Sequence, residues 1–282
     1  MRYLSHDVVA ANCAYIIPIG DVHLGDKAFG HEGRAKLDGY LTWVKEHANA
    51  RIFLMGDVFN VASRISKTSP FETNANEYKE AEGIFKPVAK QILGAIDGNH
   101  EARMLDMFGY SPLQSLCASL EVPYCGWSAT LELNVGGIVH ARSRPVEAAG
   151  QRSSRAWHTY FIYFHHTTGG GATLGGALNR SVKLQEIVQG IDVYCGGHNH
   201  QLITGVRNIL IPYPPGKVMR ERKVTYVDCG SYLSWDESYA ERGMMPVGKM
   251  GSPRIRFASP HVNSRRKHGD RMEDSRDVHV SL

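Results

Sequence analysis

The chain has 282 residues, 43% of them hydrophobic and 21% charged, and carries a formal net charge of +4. This length buries a sizeable core as one domain, and the composition excludes a fibrous, low-complexity or wholly disordered protein. Of that charge, +3 falls in residues 252–282 and only +1 in the rest, which excludes a general polyanion binder and keeps any basic footprint local.

Five cysteines, Cys13, Cys117, Cys125, Cys195 and Cys229, are odd in number and lack CxxC spacing, which predicts reduced, structural thiols in a cytoplasmic protein. Pro18, Gly20 and Asp21 interrupt the early apolar run, so neither a signal peptide nor a membrane anchor is expected.

From Tyr15, YIIPIGDVH reads as a strand that breaks at Gly20 and delivers Asp21 and His23. Over residues 33–48, Leu37, Tyr40, Leu41 and Val44 fall at helical spacing, the stripe of a helix packed on a sheet. RIFLMGDVFN (51–60) is a second buried strand, closed by Gly56 and followed by Asp57. Residues 60–73, with Arg64 and Lys67, show no periodicity and read as a loop at the rim. A helix from about Asn76 ends or breaks at Pro87 and leads into a strand before Gly98 in ILGAIDGNH. This alternation is that of βαβ units.

Residues 128–141 alternate apolar and polar around Gly136 and Gly137, as in an antiparallel hairpin. Residues 142–158 carry Arg142, Arg144, Arg152 and Arg155 and read as a solvated loop, with a grip on the substrate as the alternative. TYFIYFHH from Thr159 is a buried strand ending in His165 and His166, before Gly169, Gly170 and Gly171; no Lys-Ser/Thr follows, which excludes a P-loop. A helix over 179–189 returns to the strand IDVYCGGHNH, ending in His198 and His200. Residues 223–233 and 253–258 read as closing strands. From Ser259 the chain is polar and aperiodic, so the expected division is a folded domain over 1–258 and a disordered tail over 259–282.

Several strands thus deliver Asp, Asn and His to one rim, where open α/β sheets place their chemistry. A carboxylate gives one oxygen to each of two cations, so Asp57 reads as the shared ligand of two divalent metal ions. Imidazole with carboxylate suits Mn first, with Fe, Zn, Co or Ni as alternatives. Asp-x-His and His-x-His on extended chain point both side chains to one face. Of the His165, His166 pair only one serves as ligand, and the place directly before the Gly-rich turn favours His166.

DVHLG, GDVFN, GNHEAR, a strand-ending His and GHNH, in this order, resemble the calcineurin-like metallophosphoesterase superfamily. The resemblance implies a four-layer α/β/β/α sandwich of two mixed sheets with a dinuclear site at the strand ends. It implies that Asp21, His23, Asp57 and His200 hold one metal, and Asp57, Asn99, His166 and His198 the other. Asn99, His100 and Arg103 would contact the substrate phosphate, and His100 would protonate the leaving group while a hydroxide held between the ions attacks phosphorus. Asn60 departs from the pattern, standing where many members have an acid that orients the catalytic histidine. It brings no charge, so His100 is expected to be a weaker acid, with Glu101 a partial substitute.

The expected activity is phosphoester hydrolysis. DVHLG with GDVF resembles the DNA-repair nucleases and favours a phosphodiester, with DNA or RNA as substrate, whereas GNHEAR resembles the protein phosphatases and supports a phosphomonoesterase. The third reading is a catalytically weak binding module on the same fold. No membrane partner and no obligate protein partner is expected.

Overall fold

The computed structural model describes residues 1–61, 74–137, 157–169, 173–213, 218–236, 239–242, 244, 246–260, 267–268, 271–272 and 276–282. In chain order the elements are β1 (Arg2–Val9), β2 (Cys13–Ile19), α1 (His31–Glu46), β3 (Ala50–Leu54), α2 (Asn74–Phe85), a 3-10 helix (Lys86–Gln91), β4 (Ile92–Ala95), α3 (Asn99–Phe108) and α4 (Pro112–Ser119). They continue with β5 (Ser128–Gly136), β6 (Trp157–His165), α5 (Leu174–Ile187), β7 (Val193–Gly196), β8 (Leu202–Tyr213) and β9 (Val218–Cys229). The chain closes with α6 (Tyr239–Arg242), β10 (Arg254–Ala258), β11 (Lys267–His268), β12 (Arg271–Met272) and β13 (Val278–Ser281).

Two mixed sheets result. One has the order β13-β10-β2-β3-β4, in which β2, β3 and β4 run parallel; the other has the order β1-β5-β6-β7-β9-β8. Their inner faces bury one apolar layer, in which Phe53 of β3 stacks on Phe164 of β6 with ring centroids 3.8 Å apart. On the outer face of the first sheet, Leu37, Leu41 and Val44 of α1 share a cluster with Ile84 of α2 and Leu113 and Leu116 of α4. On the outer face of the second, Leu184 of α5 meets Tyr163, Tyr194 and Tyr226. The four-layer α/β/β/α sandwich expected from the sequence is the observed fold.

Of the expected hairpin at 128–141, residues 138–141 lie outside the described residues, and both edges of the first arm are taken by other strands. Residues 128–136 make one unbroken strand, β5, parallel to β1 on one side and antiparallel to β6 on the other. Gly136 and Gly137 close that strand; the partner comes from residues 157–165. The loop readings at 62–73 and at 142–156, with their arginines, lie outside the described residues. So does most of the chain between 261 and 275, but Val278–Ser281 pairs antiparallel with β10, so the end of the expected tail is an edge strand of the same sheet. All five cysteines are buried and unbridged. Among the described residues no helix is long and apolar enough to cross a membrane.

Gly33 of α1 allows a close approach that bears on the strand ends. A Cβ there would stand 2.2 Å from the carbonyl oxygen of buried Tyr232, whose amide donates to the carbonyl of Asp21 at 3.2 Å. Gly33→Ala must therefore push α1 off this turn, and a loss of about 1–3 kcal/mol is expected in urea unfolding. Unchanged stability would mean that α1 slides freely on the sheet.

Candidate active site

The chain leaves five neighbouring strands at one edge: β2 into Asp21, β3 into Asp57, β4 into Asn99, β6 into His166 and β7 into His198. The loops after β2 and β3 continue the parallel ladder beyond the strands, with Asp21 N donating to Gly56 O at 3.1 Å, His23 N to Asp57 O at 2.9 Å and Leu24 N to Val58 O at 2.9 Å. Gly56, at φ +86°, lets the turn after β3 approach the one after β4, since a Cβ there would lie 2.2 Å from Gly98 N.

The paired Asp and His side chains do not converge by strand pleat, as the sequence suggested. Asp21 (φ 50°), His23 (φ 51°), Asp57 (φ 47°), His198 (φ 76°) and His200 (φ 55°) all lie in the left-handed region, beyond the last paired residue of their strands. Asp, Asn and His tolerate this conformation better than most side chains, at a cost of about 1–3 kcal/mol each, and such strain collects at functional sites.

Two groups share Asp57. In the first, His200 Nε2 lies 3.3 Å from Asp21 Oδ1 and 3.2 Å from His23 Nε2, and His23 Nε2 lies 3.8 Å from both Asp21 Oδ1 and Asp57 Oδ2. In the second, His166 Nε2 lies 3.2 Å from Asp57 Oδ2. The inward amide atom of Asn99 stands 2.6 Å from His198 Nδ1, 3.2 Å from His166 Nε2 and 3.1 Å from Asp57 Oδ2. Asp57 Oδ1 is occupied separately, accepting from His100 N at 2.8 Å. Ring nitrogens and carboxylate oxygens thus point at one another, and among the described residues buried Asp21 Oδ1 accepts no hydrogen bond. The Asp/Asn/His set fits a divalent cation site, which would account for so many lone pairs meeting.

Burial pushes the Asp57 carboxyl up, but His166, with His100 and His23, outweighs it and holds it below the ordinary range. Burial likewise disfavours charge on His166, yet the Asp57 and Asp21 carboxylates raise it to about 10. His166 Nδ1 faces Met55 O at 2.7 Å, which orients the ring and turns Nε2 inward. His165 is turned away, its Nδ1 accepting from Thr167 N at 2.8 Å; of the two neighbours, His166 is the one in the cluster.

His100 stands with Nε2 4.0 Å from Asp57 Oδ2, edge-on to His23. Its Nδ1 meets the main-chain carbonyl of Asn60, so the backbone at this position, not the Asn60 side chain, orients the ring. Burial, with His23 beside it, lowers His100 to about 4.

Glu101 is no substitute acid. It is fully buried beneath the loops, where Oε2 accepts from Asp57 N (2.8 Å) and Gly98 N (3.0 Å) and Oε1 from Val58 N (2.8 Å) and Phe59 N (3.1 Å). Burial and then Asp57 push its carboxyl up to about 8, opposed by these amides, and all four donors are accommodated best by the ionised form. Arg103 reaches the site through Asn99, with Nη2 3.0 Å from the outward amide atom.

Sequence reasoning missed a support behind the His198/His200 turn. Asn199 Nδ2 donates to Asp228 Oδ2 at 2.8 Å, and Arg180 Nη1 donates to Asn199 Oδ1 at 2.9 Å. Asp228 is buried at the end of β9, and burial raises its carboxyl to about 7. An Asp directly before Cys-Gly at a strand end was the available signal, hidden by its place after the GHNH motif.

The family model for calcineurin-like phosphoesterases matches residues 15–202, more than half of the chain. A comparison with curated protein sequences finds no match. Among solved structures, the calcineurin-like phosphoesterase YfkN from Bacillus subtilis aligns over 95% of this chain and 90% of its own, at 11% identity and a TM-score of 0.41. The NAD nucleotidase NadN from Haemophilus influenzae aligns over 88% of this chain, at 11% identity and a TM-score of 0.37; the match spans 48% of the NadN chain.

Proposed function

The chain belongs to the calcineurin-like phosphoesterase family and is a metal-dependent hydrolase of phosphoesters, and from that premise we propose that it is a dinuclear phosphodiesterase. Asp21, His23, Asp57 and His200 would hold one cation, and Asp57, Asn99, His166 and His198 the other, with Mn the best match to this donor set. The observation that carries the reading is Asp57 Oδ2, which lies 3.8 Å from His23 Nε2 and 3.2 Å from His166 Nε2, one from each group. When bound, the cations supply Lewis acidity toward the phosphoryl oxygens and lower the pKa of a water.

The amide of Asn99 supports a role for Arg103. With a cation among His166, His198 and Asp57, the amide oxygen turns inward and the NH2 outward, toward Arg103 Nη2 at 3.0 Å. Two donors then meet, and an anion set above the pair accepts from both. A phosphoryl oxygen of the substrate is that anion.

His100 moves the proton. With Nδ1–H given to the Asn60 carbonyl, Nε2 is the atom left to exchange a proton with the leaving oxygen. Burial keeps the ring neutral near pH 7, and an anionic ester beside it raises its proton affinity. The likeness of DVHLG and GDVF to repair nucleases supports a diester substrate, with DNA or RNA as the class to test.

The test is turnover of bis-p-nitrophenyl phosphate against p-nitrophenyl phosphate by protein loaded with Mn. The diester is expected to be the better substrate by kcat/KM, with two cations per chain by elemental analysis. A monoester preference would replace the diesterase reading with a phosphomonoesterase one.

A further inference from the structure

Against the elements that carry His100 lies a cavity of ≈ 330 Å³ lined by Phe59, Tyr78, Met104 and Tyr110, among others. Its place is fixed by the catalytic elements themselves. Phe59 and Val61, both in its wall, flank Asn60, whose carbonyl holds His100 Nδ1. Met104 lies one helical turn beyond His100 on α3, and residues four apart share a helix face. Glu77, also in the lining, packs against Gly25 in the loop that carries His23, where a Cβ would stand 2.3 Å from its Oε1. The cavity is therefore bounded by the same segments that hold His100 and His23.

The lining suits an aromatic group. Phe59, 1% exposed, backs the wall with Tyr78 within 8° of parallel to it and ring centroids 6.4 Å apart, and the half-buried Tyr78, whose hydroxyl donates to Ser115 O at 3.1 Å, offers its ring. Tyr110, 43% exposed, adds a third ring, and Met104 offers a polarisable thioether. Lys79 supplies a cation, and the volume is of the size that takes a small organic ligand.

We infer that this cavity seats the leaving group of the substrate, and that the group it selects is a nucleoside. The inference rests on the phosphodiesterase reading and adds to it which ester bond is broken. The oxygen that receives the proton from His100 carries the departing alcohol, so the departing alcohol is the part of the substrate nearest the cavity. Rings stack on rings whatever the base, so the walls favour a nucleoside over a small alkyl alcohol without reading sequence.

Thymidine 5'-(methyl phosphate) separates the two possible cleavages. If thymidine sits in the cavity, water adds to phosphorus, the bond from phosphorus to the thymidine oxygen breaks with its electron pair on that oxygen, and the proton from His100 completes thymidine. The products, read by phosphorus NMR, are methyl phosphate and thymidine. If methanol leaves instead, thymidine 5'-phosphate appears.

Native protein loaded with Mn is expected to give methyl phosphate in at least about tenfold excess, and Tyr110→Ala to lose most of that excess. Met104→Ala serves as the second variant. In parallel, saturation transfer from metal-free protein to thymidine is expected, and is expected to be lost in Tyr110→Ala. Release of methanol by the native protein overturns the inference, as does a product ratio that neither variant changes. Thymidine binding lost in Tyr110→Ala, with no turnover of this diester or of bis-p-nitrophenyl phosphate, would overturn the diesterase reading and support the cavity as a nucleoside site.

Discussion

Asp57→Asn is expected to lower turnover of bis-p-nitrophenyl phosphate by at least about a thousandfold while leaving the fold in place. The side chain has two separable duties. Oδ1 accepts from His100 N at 2.8 Å and holds the start of α3, which an Asn oxygen can still do. Oδ2 faces His166 at 3.2 Å and His23 at 3.8 Å, and the substitution puts an uncharged amide NH2 there. The donor shared by the two groups is lost, along with the charge that balances His166. A thousandfold corresponds to about 4 kcal/mol of transition-state stabilisation, the scale expected when a cation pair loses its common ligand. Metal content by elemental analysis should fall below two per chain, and circular dichroism of the metal-free variant should match the native protein. A variant that keeps two cations and a tenth of the activity would remove Asp57 from its shared position.

How much of this site is written in the local sequence depends on what kind of constraint shaped each part. Strands buried on both faces, such as those before Gly56 and Gly98, appear as apolar runs closed by glycine and were legible. The edge strands β1, β8 and β13 were not. β1 is mostly exposed, β8 is interrupted by Gly205 and Asn208, and β13 is four residues long, so none has a continuous apolar signature. Gly136 and Gly137 read as a turn because turn chemistry is local, whereas the pairing of β5 with β6 bridges an intervening segment. The residue types of the site were legible because Asp, Asn and His are what a divalent cation needs. The backbone that aims them was not, since a left-handed Asp21 or His198 looks in sequence like an extended one. Asn60 shows the same limit. In sequence its side chain reads as an uncharged replacement for an acid, while the contact to His100 is made by its carbonyl, which any residue carries.

Glu101 is the residue whose part the sequence concealed most completely, and its loss is expected to be the most damaging to stability. In GNHEAR it reads as a partial substitute for the acid missing at Asn60, yet it is 0% exposed and accepts four amides, from Asp57, Val58, Phe59 and Gly98. Those amides belong to the turns after β3 and β4, so one carboxylate ties together the two loops that present Asp57 and Asn99. Glu101→Ala strands all four donors away from water. At about 1–3 kcal/mol for each unsatisfied buried group, the loss is at least about 4 kcal/mol, set against a total stability of roughly 5–15 kcal/mol. A fall in Tm of about 10 °C or more is expected for the metal-free protein. Glu101→Gln keeps the shape but turns one oxygen into an NH2 that meets two N–H donors, so it too is expected to lower Tm, by a smaller amount. That second variant separates positioning from proton transfer. A catalytic acid replaced by Gln would leave Tm unchanged and lower kcat alone, and such a result would return Glu101 to the role of substitute acid. Loss of Tm in the metal-free variant, where no chemistry occurs, is the outcome that the four amide contacts require.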